Sequence, residues 1–154
     1  MKENYFFLLD KLKSILKEKG LKFTRQRELV LKVLFENPGH YSPEEIHRMI
    51  QKIEPELKVG IATVYRTLTL LEEERLAESI SFGKDGKRYE IGLKQHHDHL
   101  ICTSCGKIIE FCDETIEKQQ ELVAKKFDFM MTGHSMKIVG LCSQCRKIHE
   151  NSKK

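Results

Sequence analysis

Cysteine is absent from the first 91 residues of this chain, and all five cysteines come later. Five of the seven histidines also belong to the later part. Since 154 residues suffice for two small domains, this change in composition favours a division of the chain into two. We expect a first domain over residues 1–91, a hinge over 92–95 and a second domain over 96–154.

The sequence also lacks a long hydrophobic segment and a cleavable export signal. Its early apolar run, residues 5–9, ends at Asp10 and is too short for a membrane span or a signal peptide. We therefore expect a cytoplasmic protein without membrane contact. In the reducing cytoplasm, closely paired cysteines are more often metal ligands than disulfides.

The patterns that accompany catalytic zinc are missing as well. Neither His-Glu-x-x-His nor the deaminase combination of His-x-Glu with Pro-Cys-x-x-Cys occurs. The sequence has no glycine-rich phosphate loop and no nucleophile elbow. We therefore expect a binding protein and not an enzyme.

Four helices and a β-hairpin are predicted for the first domain. Helices are expected over residues 4–18, over 25–36 with Thr24 as the N-cap, from a capping box at 42–45 onwards, and over 61–74. Phe7 and Ile61 are among the residues expected on the apolar faces of these helices. An alternating pattern then predicts two strands joined by a glycine-rich turn, and the tip of this hairpin carries the basic residues Lys84, Lys87 and Arg88. Three helices followed by a basic hairpin are typical of a winged helix.

The helix over 61–74 has small and hydrogen-bonding side chains opposite its apolar stripe, among them Thr63 and Arg66. Such a helix can enter the DNA major groove, because bulk would block its approach and arginine can bond guanine at two positions. Tyr65 lies at the edge of the stripe, so an aromatic residue bordering the core is the alternative interpretation. The net charge of +4 is by itself weak evidence for nucleic-acid binding.

Two Cys-x-x-Cys pairs occur in the second domain, Cys102 with Cys105 and Cys142 with Cys145. Each spacing suits a tight turn that directs two thiolates toward one ion, and two pairs complete a tetrahedral zinc site with four cysteine ligands. Four buried thiols or a redox pair are the alternatives. Cys112 matches neither pair, and we expect it to be a core thiol. The remaining pattern predicts a small α+β domain, with strands near 99–101, 107–111 and 132–141 and a helix over 114–127. Asp113 is expected to cap this helix, and Ile116, Val123 and Phe127 are expected to face inward.

A cluster of histidines precedes the first cysteine pair. On a strand, His97 and His99 would face one side and His96 and Asp98 the other, so that two ions could each use one side. Solvated histidines are the alternative. Spacing cannot select the further ligands among His40, Glu90, Glu110, Glu117 and His134.

Longer motifs are spread over nearly the whole chain. They are Gly20-Leu21-Lys22-x-Thr24-x-Gln26-Arg27, His40-x-Ser42-Pro43-Glu44, Ala62-Thr63-Val64-Tyr65-Arg66-x-Leu68, Arg88-Tyr89-Glu90 and the segment from His96 to Phe111. Through these motifs the sequence resembles the ferric uptake regulator family of bacterial metal-dependent transcription factors. The resemblance implies a winged-helix DNA-binding domain joined by a hinge to an α+β dimerisation domain.

The resemblance also implies metal sites and DNA contacts. Structural Zn²⁺ would be held by Cys102, Cys105, Cys142 and Cys145. A regulatory metal, Fe²⁺ with Mn²⁺, Co²⁺ or Zn²⁺ as substitutes, would be held by His40, Glu90, His97, His99 and Glu110. An additional metal site is implied at His96, Asp98, Glu117 and His134. Tyr65 and Arg66 match residues that contact the major groove, and Lys22 matches one that reaches the minor groove.

The expected function is an Fe²⁺-dependent repressor of iron-uptake genes. It would bind an AT-rich palindromic operator in double-stranded DNA as a homodimer or a higher oligomer. Glu90 and Glu110 stand where peroxide-sensing relatives typically have aspartates, which favours iron sensing. The alternatives are a zinc-, nickel- or peroxide-sensing member of the family, or a constitutive zinc-stabilised module that binds DNA or protein.

Overall fold

A computed structural model describes residues 2–81, 86–92 and 96–152, without the side chains of residues 2 and 3. The chain divides into two units, residues 1–93 and 94–154. The elements of the first unit are α1 (Lys2–Glu18), α2 (Arg25–Glu36), α3 (Pro43–Ile53), α4 (Ile61–Glu73), β1 (Ala77–Ser81) and β2 (Lys87–Ile91). Those of the second are β3 (Asp98–Cys102), β4 (Ile108–Phe111), α5 (Glu114–Lys126), β5 (Lys137–Gly140) and α6 (Ser143–Asn151).

Local hydrogen bonds explain where the helices of the first unit begin. The side chain of Thr24 accepts a hydrogen bond from the backbone N–H of Arg27 and caps α2. A complete capping box begins α3, in which Ser42 and Glu45 each bond the backbone N–H of the other. Such caps supply partners for N–H groups that the first helical turn leaves unpaired.

The apolar faces of α1 to α4 form one core in the first unit. Its fully buried side chains include Leu8, Leu12, Leu16, Leu29, Leu31, Leu34, Ile46, Ile50, Leu68 and Leu71. Two residues predicted on these faces lie outside the core, since Phe7 is 64% and Ile61 38% exposed. Ile61 is the first residue of α4, where few neighbouring turns are available to cover it.

β1 and β2 pair as an antiparallel hairpin, with Ser79 opposite Tyr89. Tyr41 adds a short bridge to Tyr89 from the segment that precedes α3. The helices together with this hairpin confirm the predicted winged helix. The connection over 82–85, with the predicted basic residue Lys84, lies outside the described residues. Most of the predicted hinge, residues 93–95, lies outside them as well.

The second unit contains a three-stranded sheet in the order β4-β3-β5. β3 pairs antiparallel with β4 and parallel with β5. Asp113 caps α5 as predicted, because its side chain accepts hydrogen bonds from two backbone N–H groups of the first turn. The prediction that Val123 and Phe127 face inward from α5 was wrong, since they are 56% and 72% exposed. The sequence pattern did not predict α6.

Among the described residues, none of the helices is both long enough and apolar enough to cross a bilayer.

Candidate metal centres and nucleic-acid interface

The four paired cysteines come together in the second unit. Cys102 ends β3, Cys105 follows in the turn to β4, and Cys142 and Cys145 lie at the start of α6. All four sulfur atoms lie within 4.8 Å of one another, and the Sγ atoms of Cys105 and Cys142 are 3.8 Å apart. A Zn–S bond of ≈ 2.3 Å in tetrahedral geometry places sulfur atoms about 3.8 Å apart, so the arrangement fits Zn²⁺.

The charges of these thiols also fit a bound cation. Hydrogen bonds from the backbone N–H groups of Cys142 and Cys105 lower the pKa of Cys102 to about 6. For Cys145, the hydrogen bond with Ser104 acts in the lowering direction, but those with Cys142 and Cys105 outweigh it and raise the pKa to about 12. A thiolate on one cysteine therefore disfavours the loss of a proton from a neighbouring thiol. A divalent cation removes this effect, since thiolates are the form that binds zinc.

Cys112 is not part of this cluster. It is exposed, so the prediction of a core thiol was wrong. It lies between β4 and the cap residue of α5, outside both elements.

A second cluster in the same unit contains His96, Asp98, Glu117 and His134. Their ligand atoms all lie within 4.8 Å of one another. Nε2 of His96 is 3.7 Å from Oδ1 of Asp98 and 3.5 Å from Oε1 of Glu117, and Nε2 of His134 is 3.2 Å from Oε2 of Glu117. β3 supplies Asp98, α5 supplies Glu117, and the segment before β5 supplies His134.

Several polar atoms of this second cluster are buried without a hydrogen bond among the described residues. Asp98 is fully buried, and its Oδ1 accepts the backbone N–H of Met136, but its Oδ2 has no such partner. The same holds for Oε1 of Glu117 and Nε2 of His134, whose short contacts lack hydrogen-bond geometry. Leaving buried polar atoms unpaired is costly, so a nitrogen- and oxygen-binding divalent metal fits this donor set.

Other predicted metal ligands form pairs within each unit. In the first unit, Nε2 of His40 donates to Oε1 of Glu90 at 2.9 Å, with both side chains almost completely buried. In the second unit, the rings of His97 and His99 have centroids 4.7 Å apart. Glu110 stands directly opposite His99 in the pairing of β4 with β3.

The outer face of α4 presents Tyr65 and Arg66, and both are exposed. Thr63 is half-buried, and its carbonyl accepts the hydroxyl of Thr67. The side chain of Tyr65 is 46% exposed. Its hydroxyl donates to Oε1 of Glu44 at 2.6 Å, and this hydrogen bond raises the pKa of Tyr65.

Contacts that sequence patterns did not reveal hold the loop in front of α4. Gln26 donates its side-chain amide to the carbonyl of Lys58 at 3.0 Å, and Nε2 of His47 lies 2.7 Å from the carbonyl of Val59. Arg25 bonds the carboxylate of Glu54. Gln26 belongs to one of the family-like motifs, but nothing in its local sequence indicates a partner 32 residues away.

The predicted basic contacts differ in their surroundings. Lys22 is exposed, and its carbonyl accepts a hydrogen bond from Arg27 at 2.7 Å. Lys87 bonds both carboxylate oxygens of Glu72, so its charge is balanced within the unit. Sequence reasoning missed this acidic partner.

Comparison with known proteins identifies the family. The ferric uptake regulator family model matches residues 18–139. The ferric uptake regulation protein of Campylobacter jejuni is 54% identical over 141 residues, covering 92% of this chain and 90% of that protein. The solved structure of the Helicobacter pylori ferric uptake regulator Fur has a TM-score of 0.86 at 42% identity, covering 92% of this chain and 93% of that one. This chain belongs to the ferric uptake regulator family.

As a member of the ferric uptake regulator family, the chain is a metal-responsive transcription regulator. The Helicobacter pylori Fur structure reveals three functional metal-binding sites. The family match begins at residue 18, which leaves most of α1 in front of it, and ends before Cys142 and Cys145. The second half of the cysteine cluster therefore lies beyond the matched segment.

Proposed function

We propose that this chain is an Fe²⁺-dependent repressor of iron-uptake genes, which acts in the cytoplasm and has no catalytic activity. It binds an AT-rich palindromic operator in double-stranded DNA as a homodimer. Membership in the ferric uptake regulator family and the metal-ligand clusters support this function together. The single observation that carries most weight is that the second unit contains both a four-cysteine cluster and a separate cluster of nitrogen and oxygen donors, His96, Asp98, Glu117 and His134. Four thiolates suit a structural metal, whereas nitrogen and oxygen donors suit an exchangeable one.

The structural metal in this proposal is Zn²⁺ at Cys102, Cys105, Cys142 and Cys145. These thiolates join the end of β3 to the start of α6, which are 40 residues apart for Cys102 and Cys142. α5 and α6 bury no residue, so the second unit has little apolar core of its own. Metal binding then supplies folding free energy that the core does not.

The regulatory metal in this proposal is Fe²⁺, with Mn²⁺, Co²⁺ or Zn²⁺ as substitutes. Its ligands are His40 and Glu90 of the first unit and His97, His99 and Glu110 of the second. The short His40–Glu90 contact and the adjacent rings of His97 and His99 support this set, because each group is already assembled within its own unit. Binding of the metal by this set makes the affinity for DNA depend on the metal. His96, Asp98, Glu117 and His134 bind an additional ion.

DNA contacts in this proposal come from the outer face of α4 and from basic residues near it. Arg66 and Tyr65 contact base edges in the major groove, with Thr63 beside them, and Lys22 reaches the minor groove. The exposure of Arg66 and Tyr65 supports these roles. Lys84 and Lys87 of the hairpin contact phosphates.

Dimer formation in this proposal uses the second unit. β5 is an edge strand of the sheet, and all of its residues are exposed. Exposed edges with apolar surroundings favour pairing with another chain. The large apolar residues that are exposed among the described residues of this unit are Leu100, Ile109, Leu122, Val123, Phe127, Phe129, Met130, Ile138, Val139, Leu141 and Ile148.

The test is a fluorescence anisotropy titration of operator DNA against Fe²⁺ without oxygen, or against Mn²⁺. The duplex is one that the wild-type protein selects from a random library in the presence of metal. Wild type should bind it more tightly with metal, whereas His97→Ala should lose this response and keep its zinc. His149→Ala, which changes an exposed histidine of α6 outside the clusters, is the control. If His97→Ala responded like wild type, the alternative of a constitutive zinc-stabilised module would be favoured.

A further inference from the structure

Arg88 on β2 connects two segments of the first unit, the one that precedes α3 and the first turn of α3 itself. Its Nη1 donates to the carbonyl of His40 at 3.2 Å and to Oε2 of Glu45 at 3.0 Å. These acceptors are 48 and 43 residues away in the sequence. One guanidinium therefore bonds the main chain of a proposed metal ligand and the first turn of a helix.

Glu45 is not an ordinary surface acid, because it closes the capping box of α3. The same oxygen, Oε2, accepts the backbone N–H of Ser42 at 2.7 Å, and Oγ of Ser42 accepts the backbone N–H of Glu45 at 3.2 Å. The guanidinium of Arg88 therefore contacts the group that fixes where α3 begins. Because donor and acceptor are both charged, the hydrogen bond from Arg88 to Glu45 is stronger than one between neutral groups.

His40 is held at its main chain and at its side chain. Its ring bonds Glu90 at 2.9 Å, and its carbonyl accepts Arg88. The next residue, Tyr41, exchanges two backbone hydrogen bonds with Tyr89, at 2.9 and 2.8 Å. His40 therefore cannot shift without changing the position of the segment that leads into α3.

The start of α3 is in turn bonded to α4. Glu44, next to Glu45, accepts the hydroxyl of Tyr65 at 2.6 Å. α3 and α4 also share the buried core, so a displacement of one helix shifts the other. A continuous series of contacts thus runs from His40 through Arg88 and Glu45 to the outer face of α4.

We propose that Arg88 is a positioning residue that couples metal binding at His40 to the placement of α3 and α4. This inference rests on the proposed function. Arg88 acts through Glu45 and the His40 carbonyl, and it touches neither DNA nor metal in this role. Both side chains of the Arg88–Glu45 ion pair are about one-third exposed, so the pair contributes little to fold stability. We therefore expect its loss to change mainly the coupling between metal binding and DNA binding.

The experiment measures the affinity for the selected duplex with and without Mn²⁺, by anisotropy, in wild type, Arg88→Gln and Glu45→Gln. The ratio of the two affinities reports the coupling, which is typically ~5–150-fold. We expect Arg88→Gln to lower this ratio by roughly 2- to 30-fold. Glu45→Gln keeps an oxygen for the cap but loses the charge, and should lower the ratio in the same direction. The double variant should lower it no further than Arg88→Gln alone, because loss of the guanidinium already removes the bond to Glu45.

Arg75→Gln is the matched control, since it removes the same charge from an exposed arginine of the same unit. Its ratio should equal that of wild type. Arg88→Lys keeps the charge but not the two-acceptor geometry, so it should also lower the ratio. It replaces Arg88→Gln in the experiment if that variant does not fold. An equal loss of affinity with and without Mn²⁺ would make Arg88 a DNA contact or a structural residue and overturn the inference. Failure of the proposed function is distinct, because wild type itself would then show a ratio near one.

Discussion

The ammonium group of Lys87 lies 2.9 Å from each carboxylate oxygen of Glu72. This hydrogen-bonded pair raises the pKa of Lys87 and joins the start of β2 to the last turns of α4. Ser79 on β1 donates to the same carboxylate. Hydrogen bonds to the Glu72 carboxylate therefore hold both strands of the hairpin against α4. The same carboxylate partly balances the positive charge of Lys87 before DNA binds.

We expect Glu72→Gln to strengthen binding to DNA of any sequence, because it releases the charge of Lys87 for phosphate contact. The slope of log affinity against log salt concentration should become steeper by about one, because one more counterion is released on binding. Anisotropy of a random-sequence duplex at several salt concentrations measures both. Glu73→Gln removes the same charge from the next, exposed position of α4. Equal effects of the two substitutions would show that only net charge matters.

We expect Arg66→Ala to weaken binding of the selected duplex by about 1–3 kcal/mol, the contribution of a two-point contact to guanine. Binding of random-sequence DNA should change much less. Competition between the two duplexes measures the difference. Arg48→Ala, at an exposed arginine of α3, serves as a charge-matched comparison. If Arg66→Ala weakened both duplexes by the same factor, Arg66 would be a phosphate contact.

We expect Cys102→Ser to remove the bound zinc and destabilise the second unit, because the metal joins β3 to α6. Dimer formation should be lost with it. Metal analysis and analytical ultracentrifugation of the same sample measure the two effects. Cys112→Ser changes the exposed cysteine outside the cluster and should leave both unchanged. A zinc-free Cys102→Ser dimer with wild-type stability would contradict the assignment.

We expect Glu117→Gln to abolish metal binding at the cluster of His96, Asp98 and His134, because the carboxylate lies within 3.5 Å of both histidine nitrogens. Calorimetric titration of zinc-loaded protein with Mn²⁺ should then show one fewer site than wild type. Glu114→Gln, at an exposed acid of the same helix, should keep the full number. An unchanged number of sites in Glu117→Gln would leave this cluster as a purely polar contact.

Features that depend on neighbouring residues were predictable from the sequence. The N-cap at Thr24 and the box of Ser42 and Glu45 involve partners only three residues apart, so a short pattern contains the whole interaction. The two cysteine pairs are equally local, and the structure brings them within 4.8 Å. The winged helix followed from the order of such elements.

Ligand grouping and surface exposure were decided by tertiary structure. Spacing placed Asp98 beside His96 but could not choose Glu117 or His134, which α5 and the segment before β5 bring within reach. Periodicity placed Phe127 inward, yet it is 72% exposed because no described element of the same unit covers that face of α5.

The sequence by itself therefore determined where the elements begin, which thiols pair locally and which family motifs are present. Only the tertiary structure decided that Lys87 meets Glu72 and that Arg88 meets Glu45 and the carbonyl of His40. The physical reason is chain separation: a contact between residues 15 to 48 positions apart depends on how whole elements pack, and no local pattern of residues records it.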